Sequence, residues 1–125
     1  MVKNYSIEVV DGVSVTRFSQ KAALSEIINA MDDVSAIGVF KRRLWIFHDG
    51  VVNLSTGEIR KIAEHGVKIW AAPSKAAIVV PDSLSFGLAR MHDAFRDEKG
   101  GETRVFRTEQ EAIAWLEEAD DVVTP

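Results

Sequence analysis

His48 and Asp49 stand together at the end of an apolar run, and Ser55 and Thr56 follow after Gly50 and a short stretch of chain. A histidine beside a carboxylate can act as a general base, and a hydroxyl nearby can act as a nucleophile, so hydrolytic chemistry would sit here. Two features weigh against that use. Neighbours on an extended chain point to opposite faces, which places His48 and Asp49 poorly for pairing. Ser55-Thr56-Gly57-Glu58 is also a capping box, in which the serine hydroxyl accepts from the Glu58 N–H and the glutamate reaches back. Capping accounts for Ser55 fully. Its alternative use is as a phospho-acceptor, because roughly two negative charges at a helix N-terminus are favoured by the helix dipole. The expectation is a binding surface containing His48, Asp49, Ser55 and Thr56, with no catalytic residue assigned.

A second group centres on Gly87. It interrupts a helical pattern, where glycine costs about 1 kcal/mol relative to alanine, so a close approach is expected there by a neighbouring element, a partner or a ligand. Phe86 flanks it, and Arg90 lies one turn on, away from the apolar stripe. One account is tight helix–sheet packing with Arg90 paired to Asp93 or Asp97. The other is a recognition face of Phe86, Gly87 and Arg90. The three histidines, His48, His65 and His92, fall on different elements without His-x-x-x-His spacing, so neither metal nor cofactor is expected. His92 reads as a half-buried, hydrogen-bonded histidine. Lys41-Arg42-Arg43 reads as a charged break between apolar segments. Phosphate-binding glycine loops and a G-x-S-x-G elbow are absent from the sequence.

Composition narrows the classes. A chain of 125 residues with 46% hydrophobic and 27% charged residues is a single globular domain by size and content. The formal net charge of −4 gives no electrostatic reason to bind nucleic acid or an anionic membrane. With no cysteine there are no disulfides, thiolate metal sites or Cys nucleophile. No apolar run approaches the roughly 20 residues that span a bilayer, and the N-terminus lacks the apolar core of a secretion signal. A cytoplasmic protein is expected.

The elements that must position these residues follow from periodicity. Tyr5–Val9 and Val13–Phe18 alternate with period two around Asp11-Gly12, a hairpin signal. Ser19 is read as the cap of a helix whose stripe is Leu24, Ile27, Ile28 and Met31, ending at Asp32-Asp33. Ala36–Phe40 reads as strand or loop, and Leu44–Phe47 as a buried strand. Ser55 starts a helix that ends at His65-Gly66, and a connector carries Trp70. Ala76–Val80 is an apolar strand. Asp82 or Ser83 caps a long helix with Leu84, Leu88, Met91 and Phe95 inward, and Lys99-Gly100-Gly101 leads out of it. Thr103–Arg107 is a strand, Thr108–Glu111 a second capping box, and Ala112, Trp115, Leu116 and Ala119 the last stripe. A hairpin followed by alternating β–α steps implies a mixed, mostly parallel sheet with right-handed crossovers. One domain over residues 1–119, with a tail over 120–125, is expected.

The segment Ala77–Met91, with Val105-Phe106-Arg107 and Glu111-Ala112-Ile113-Ala114-Trp115-Leu116, resembles the SpoIIAA-like superfamily, which groups STAS domains with CRAL-TRIO lipid-binding domains. The match is to small stand-alone bacterial STAS/SEC14-type proteins and covers about a third of the chain. The resemblance implies an N-terminal hairpin plus four β–α units. It also implies a non-enzymatic binding or regulatory module acting on a protein partner or on itself, with a homodimer among the forms expected. The lipid-binding branch implies a carrier of a small apolar molecule, with Phe47, Trp70, Phe86 and Trp115 available to line a pocket. STAS regulators resemble one another in an Asp-Ser-Ser-Gly turn; the chain from His48 to Gly57 lacks it and places Ser55 in the corresponding kind of position.

Overall fold

The computed structural model describes residues 3–70, 74–97 and 102–118. The chain opens with β1 (Tyr5–Val10) and β2 (Val13–Phe18), paired antiparallel. Between them Asp11 and Gly12 both adopt left-handed backbone, with φ of 51° and 79°. That is the geometry of a two-residue turn whose twist matches the strands it joins. Helix α1 (Leu24–Ile37), strand β3 (Arg42–Phe47), helix α2 (Thr56–Ile69), strand β4 (Lys75–Val79), helix α3 (Ser83–Asp97), strand β5 (Glu102–Phe106) and helix α4 (Glu109–Glu117) follow. The five strands lie side by side in chain order, and every pairing after the hairpin is parallel. The expected parallel neighbours β4 and β5 are therefore adjacent, joined by α3.

Each strand sends alternate residues to the two faces. Phe18, Trp45, Phe47, Ala76, Ile78 and Val80 meet α1, α2 and α3 in the larger core. Val15, Leu44, Ile46, Ala77 and Val79 meet Ala112, Trp115 and Leu116 of α4 in the smaller one. Covered on both sides, β3 is buried almost throughout, the usual state of a strand in a parallel sheet.

Several expected boundaries move. Ser19 does not cap α1; its hydroxyl donates to the Asn4 carbonyl, and the helix begins after Ala23, whose N–H donates to Glu26. Asp32-Asp33 does not end α1, which runs to Ile37 and stops before Gly38. Both carboxylates find cations or hydroxyls instead: Asp32 meets His65 at 2.6 Å, and Asp33 accepts from Lys3 and Tyr5. Arg42 and Arg43 are not a break but the first residues of β3. Helix α2 passes through His65-Gly66 and runs to Ile69, with Trp70 as its cap, because Gly66 is buried and interior packing outweighs its propensity. Leu84 faces out, 56% exposed, and Ser85 takes the inward place. Ser55 and Glu58 form the capping box as expected. At α4 only half of one forms: Thr108 accepts from the Glu111 N–H, and the Glu111 carboxylate takes the Thr108 hydroxyl rather than a backbone N–H. Lys99-Gly100-Gly101, Ala119 and the tail over 120–125 lie outside the described residues.

Candidate functional site

A chamber of about 80 Å³ lies within the larger core, between the sheet and α1, α2 and α3. One water needs roughly 10–15 Å³ measured this way, and drug-sized pockets hold roughly 300–1,000 Å³. The chamber therefore suits a small molecule.

The sheet register supplies its floor in rows. Arg43, Ala76 and Thr103 are aligned across three neighbouring strands, and Trp45 and Ile78 form the next row. Phe47 and Val80 lie beyond them. Leu54, Ile59, Ile62 and Gly66 come from the α2 side, and Leu88, Ala89 and His92 from α3. The lining is apolar along most of its length. Ala76 is the small member of its row and leaves room between two larger neighbours.

Polar atoms gather at the end where the parallel strands begin. Arg43 is 1% exposed. Its guanidinium lies 4.1 Å from the centre of the Trp70 ring and donates to the Phe40 carbonyl at 2.8 Å and the Ser74 hydroxyl at 3.2 Å. Trp70 in turn packs against Trp45. The Trp70 Nε1 and Thr103 Oγ1 atoms are buried and have no hydrogen-bond partner. Buried polar groups are satisfied in the great majority of cases, so two unpartnered polar atoms on residues that line one chamber ask for an explanation.

The opposite end carries Ser85, 1% exposed. Its hydroxyl accepts from the Val51 N–H and donates to Asp82, while its own N–H donates to the other Asp82 oxygen at 2.8 Å. That last bond caps α3. It is the main reason the Asp82 carboxyl titrates below its ordinary value; Lys21 and Arg107 add to the effect, and desolvation opposes it. Gly50 sits against this pair with φ of 79°, and a side-chain carbon there would lie 2.6 Å from both Asp82 Oδ2 and Ser85 Oγ. The loop after β3 is thus fastened to the start of α3. It is also fastened to the loop after β2, since Ala22 donates to the Gly50 carbonyl and Val52 to the Ala22 carbonyl.

The residues singled out in the sequence are not brought together as one site. His48 and Asp49 are both exposed just past β3. Ser55 is held in its capping box, and no hydrogen bond joins it to His48 among the described residues. Thr56 is exposed at the first position of α2. Phe86 is half-buried against the larger core, with the Arg107 guanidinium 4.8 Å from its ring centre. Gly87 is exposed, and a side-chain carbon there would meet nothing within 4 Å, so tight packing does not explain it. Arg90 is exposed and forms no ion pair among the described residues. His92 is half-buried and lines the chamber. Of the four aromatics offered for a pocket, Phe47 and Trp70 line it, Phe86 packs beside it, and Trp115 belongs to the other face.

Arg43, Ala76, Thr103 and Ser85 were not read as site residues. A signal existed for two of them: Arg43 is in phase with Trp45 and Phe47, and Thr103 with Val105. No cluster of His, Asp or Glu among the described residues could hold a metal ion, and none of the described helices is long and apolar enough to cross a membrane.

No protein-family model matches the chain, and no curated protein matches it. Among solved structures it is similar to an uncharacterised protein of the DUF3478 family, with a SpoIIAA-like fold, from Shewanella loihica PV-4. That match has a TM-score of 0.54 and 17% identity, and covers 90% of this chain and 91% of that one. Hairpin, parallel β–α succession, and helices divided between two faces give this chain a SpoIIAA-like α/β fold.

Proposed function

We propose that this chain is a non-enzymatic binding module that takes a small apolar molecule into the chamber between its sheet and α1–α3. The chamber itself carries the reading. Interiors are ordinarily close-packed, and voids larger than a water are few. Here about 80 Å³ lies among Trp45, Phe47, Ile62, Ile78 and Leu88. The size limits the occupant: a two-chain membrane lipid exceeds it, so the lipid-carrier form of the expectation contracts to a small ligand. Native mass spectrometry of protein purified without detergent tests this. A bound small mass that is released on unfolding supports it. A protein that is empty, and stays empty with hexane or benzene present, contradicts it.

A protein-contact role is the second reading, favoured by one observation. On the outward side of α3, Leu84 is 56% exposed beside bare Gly87, with Arg90 one turn on. A defined partner or a second copy docking there would lose affinity on Leu84→Asp and on Arg90→Glu. Unchanged sedimentation and unchanged binding in both variants would remove this face from consideration.

A further inference from the structure

Strand β1 is an edge of the sheet, with no described strand on its outer side. Its backbone groups divide by parity. The pairing with β2 runs in unbroken register, with Val10 and Val13 closing the two-residue turn. One pair beyond the other end, the Ser19 N–H donates to the Asn4 carbonyl. Hydrogen-bonded pairs recur at every second residue of an antiparallel ladder. Asn4, Ser6, Glu8 and Val10 therefore bond to β2. Tyr5, Ile7 and Val9 turn both N–H and C=O to the open edge, where no described residue takes them. Edge strands are ordinarily blunted by proline, lysine or a bulge. From Tyr5 to Val10 there is none of these, and Glu8 is the one charge. The other edge, β5, carries Glu102 and Arg104. Beside β1 runs a groove against α1, lined by Lys3, Tyr5, Ile7, Asp33 and Ile37. Ile37 is 55% exposed in it, and Val9, next along that face of β1, is 48% exposed.

We propose that β1 pairs antiparallel with β1 of a second copy, about a two-fold axis at Ile7, so that two sheets become one. Register and charge favour this occupant. Only the odd residues can bond across the edge, so few registers are open. Centring on Ile7 pairs Ile7 with itself and Tyr5 with Val9 in both directions, with about six backbone hydrogen bonds. It sets Lys3 of each copy opposite Asp11 of the other, and Glu8 opposite Ser6. Asp11 is exposed, and Lys3 retains donors beyond the one on Asp33. The register centred one residue nearer the turn opposes Glu8 to Glu8, which is unfavourable. The one centred a residue further from it opposes Lys3 to Val9. On the groove side the chosen row is apolar but for the Tyr5 hydroxyl, which already donates to Asp33. This surface is separate from the chamber and from the α3 face, and it stands or falls without them.

Sedimentation equilibrium of the full chain over a concentration series into the millimolar range tests it, with amide hydrogen exchange read residue by residue. A monomer–dimer equilibrium is expected, with exchange at Tyr5, Ile7 and Val9 slowing as concentration rises. Val9→Pro removes no hairpin hydrogen bond, since the Val9 N–H faces outward. It is expected to weaken dimerisation by about 100-fold or more. Asp11→Asn suits the same turn and is expected to weaken it about 2- to 10-fold, an effect that fades in high salt. Leu84→Asp is expected to leave the dimer unchanged. A monomer at every concentration overturns the proposal. So does a dimer whose three edge amides exchange as fast as in the monomer, a result that needs no variant to fold. A dimer kept in Val9→Pro but lost in Leu84→Asp overturns it in favour of the α3 face.

Discussion

Two glycines illustrate how residue-level physics sorts function from structure. Gly50 sits in left-handed backbone with Asp82 and Ser85 where its side chain would go. Gly50→Ala is expected to destabilise by about 1–2 kcal/mol from backbone strain alone, with a further penalty as the Asp82–Ser85 pair is displaced. Gly87 lies in open helix, so Gly87→Ala is expected to stabilise by about 0.5–1 kcal/mol. Urea midpoints of the two variants should move in opposite directions; movement the same way would mean that one glycine's surroundings are misassigned. Asp82 adds a pH signature. Its carboxyl is held below the ordinary value mainly by the Ser85 N–H. A depressed folded-state pKa contributes stability that is present above the unfolded value of about 3.9. That contribution is lost as pH falls through the folded-state value. The stability gap between the wild type and Asp82→Ala should therefore be full at pH 7 and shrink as the pH is lowered below about 4. A gap that stays constant to pH 2 would show that the carboxylate charge is not what stabilises the turn. Tyr5 shows the opposite sign. Burial, followed by its bond to Asp33, pushes its phenol up to about 12, so its contribution is complete below pH 10 and disappears only in strong alkali.

At the scale of elements, the sequence was most legible where one physical signal acted alone. Asp11-Gly12 specified a turn because few residues tolerate two successive positive φ angles, and Ser55 with Glu58 specified a helix start because both hydrogen bonds are local. Boundaries set by tertiary contact were less legible. Gly66 reads as a stop, yet burial in the interior carries α2 on to Ile69. Arg43 reads as a break, yet stacking on Trp70 and hydrogen bonds to Phe40 and Ser74 make it strand. The candidate site was hidden for the same reason. Its floor is a row of single residues from strands far apart in the chain, and only the register brings Arg43, Ala76 and Thr103 into line. Ser55 separates the capping and phosphorylation accounts at this scale. Ser55→Ala is expected to cost about 1 kcal/mol, and Ser55→Asp close to nothing, since aspartate caps as well as serine. Thermal unfolding of the three proteins checks it; equal melting points for Ser55→Ala and the wild type would mean that the cap contributes nothing to the fold.

Across the whole molecule, the sheet divides two environments. The face toward α4 is a filled core of aliphatic side chains and Trp115. The face toward α1–α3 keeps a chamber, and buried hydroxyls of Ser14, Thr16 and Thr103 lie on it without partners. The larger core lies on the same face as the chamber, so that face both stabilises the fold and leaves room within it. The three tryptophans report on that division, because Trp45 and Trp70 line the chamber and Trp115 does not. The indole N–H resonances in a proton–nitrogen correlation spectrum should resolve them, and benzene should be added stepwise. The account predicts saturable shifts of the Trp70 and Trp45 signals, with Trp115 unmoved. Shifts centred on Trp115, or no shift at any indole up to the solubility of the probe, would contradict it.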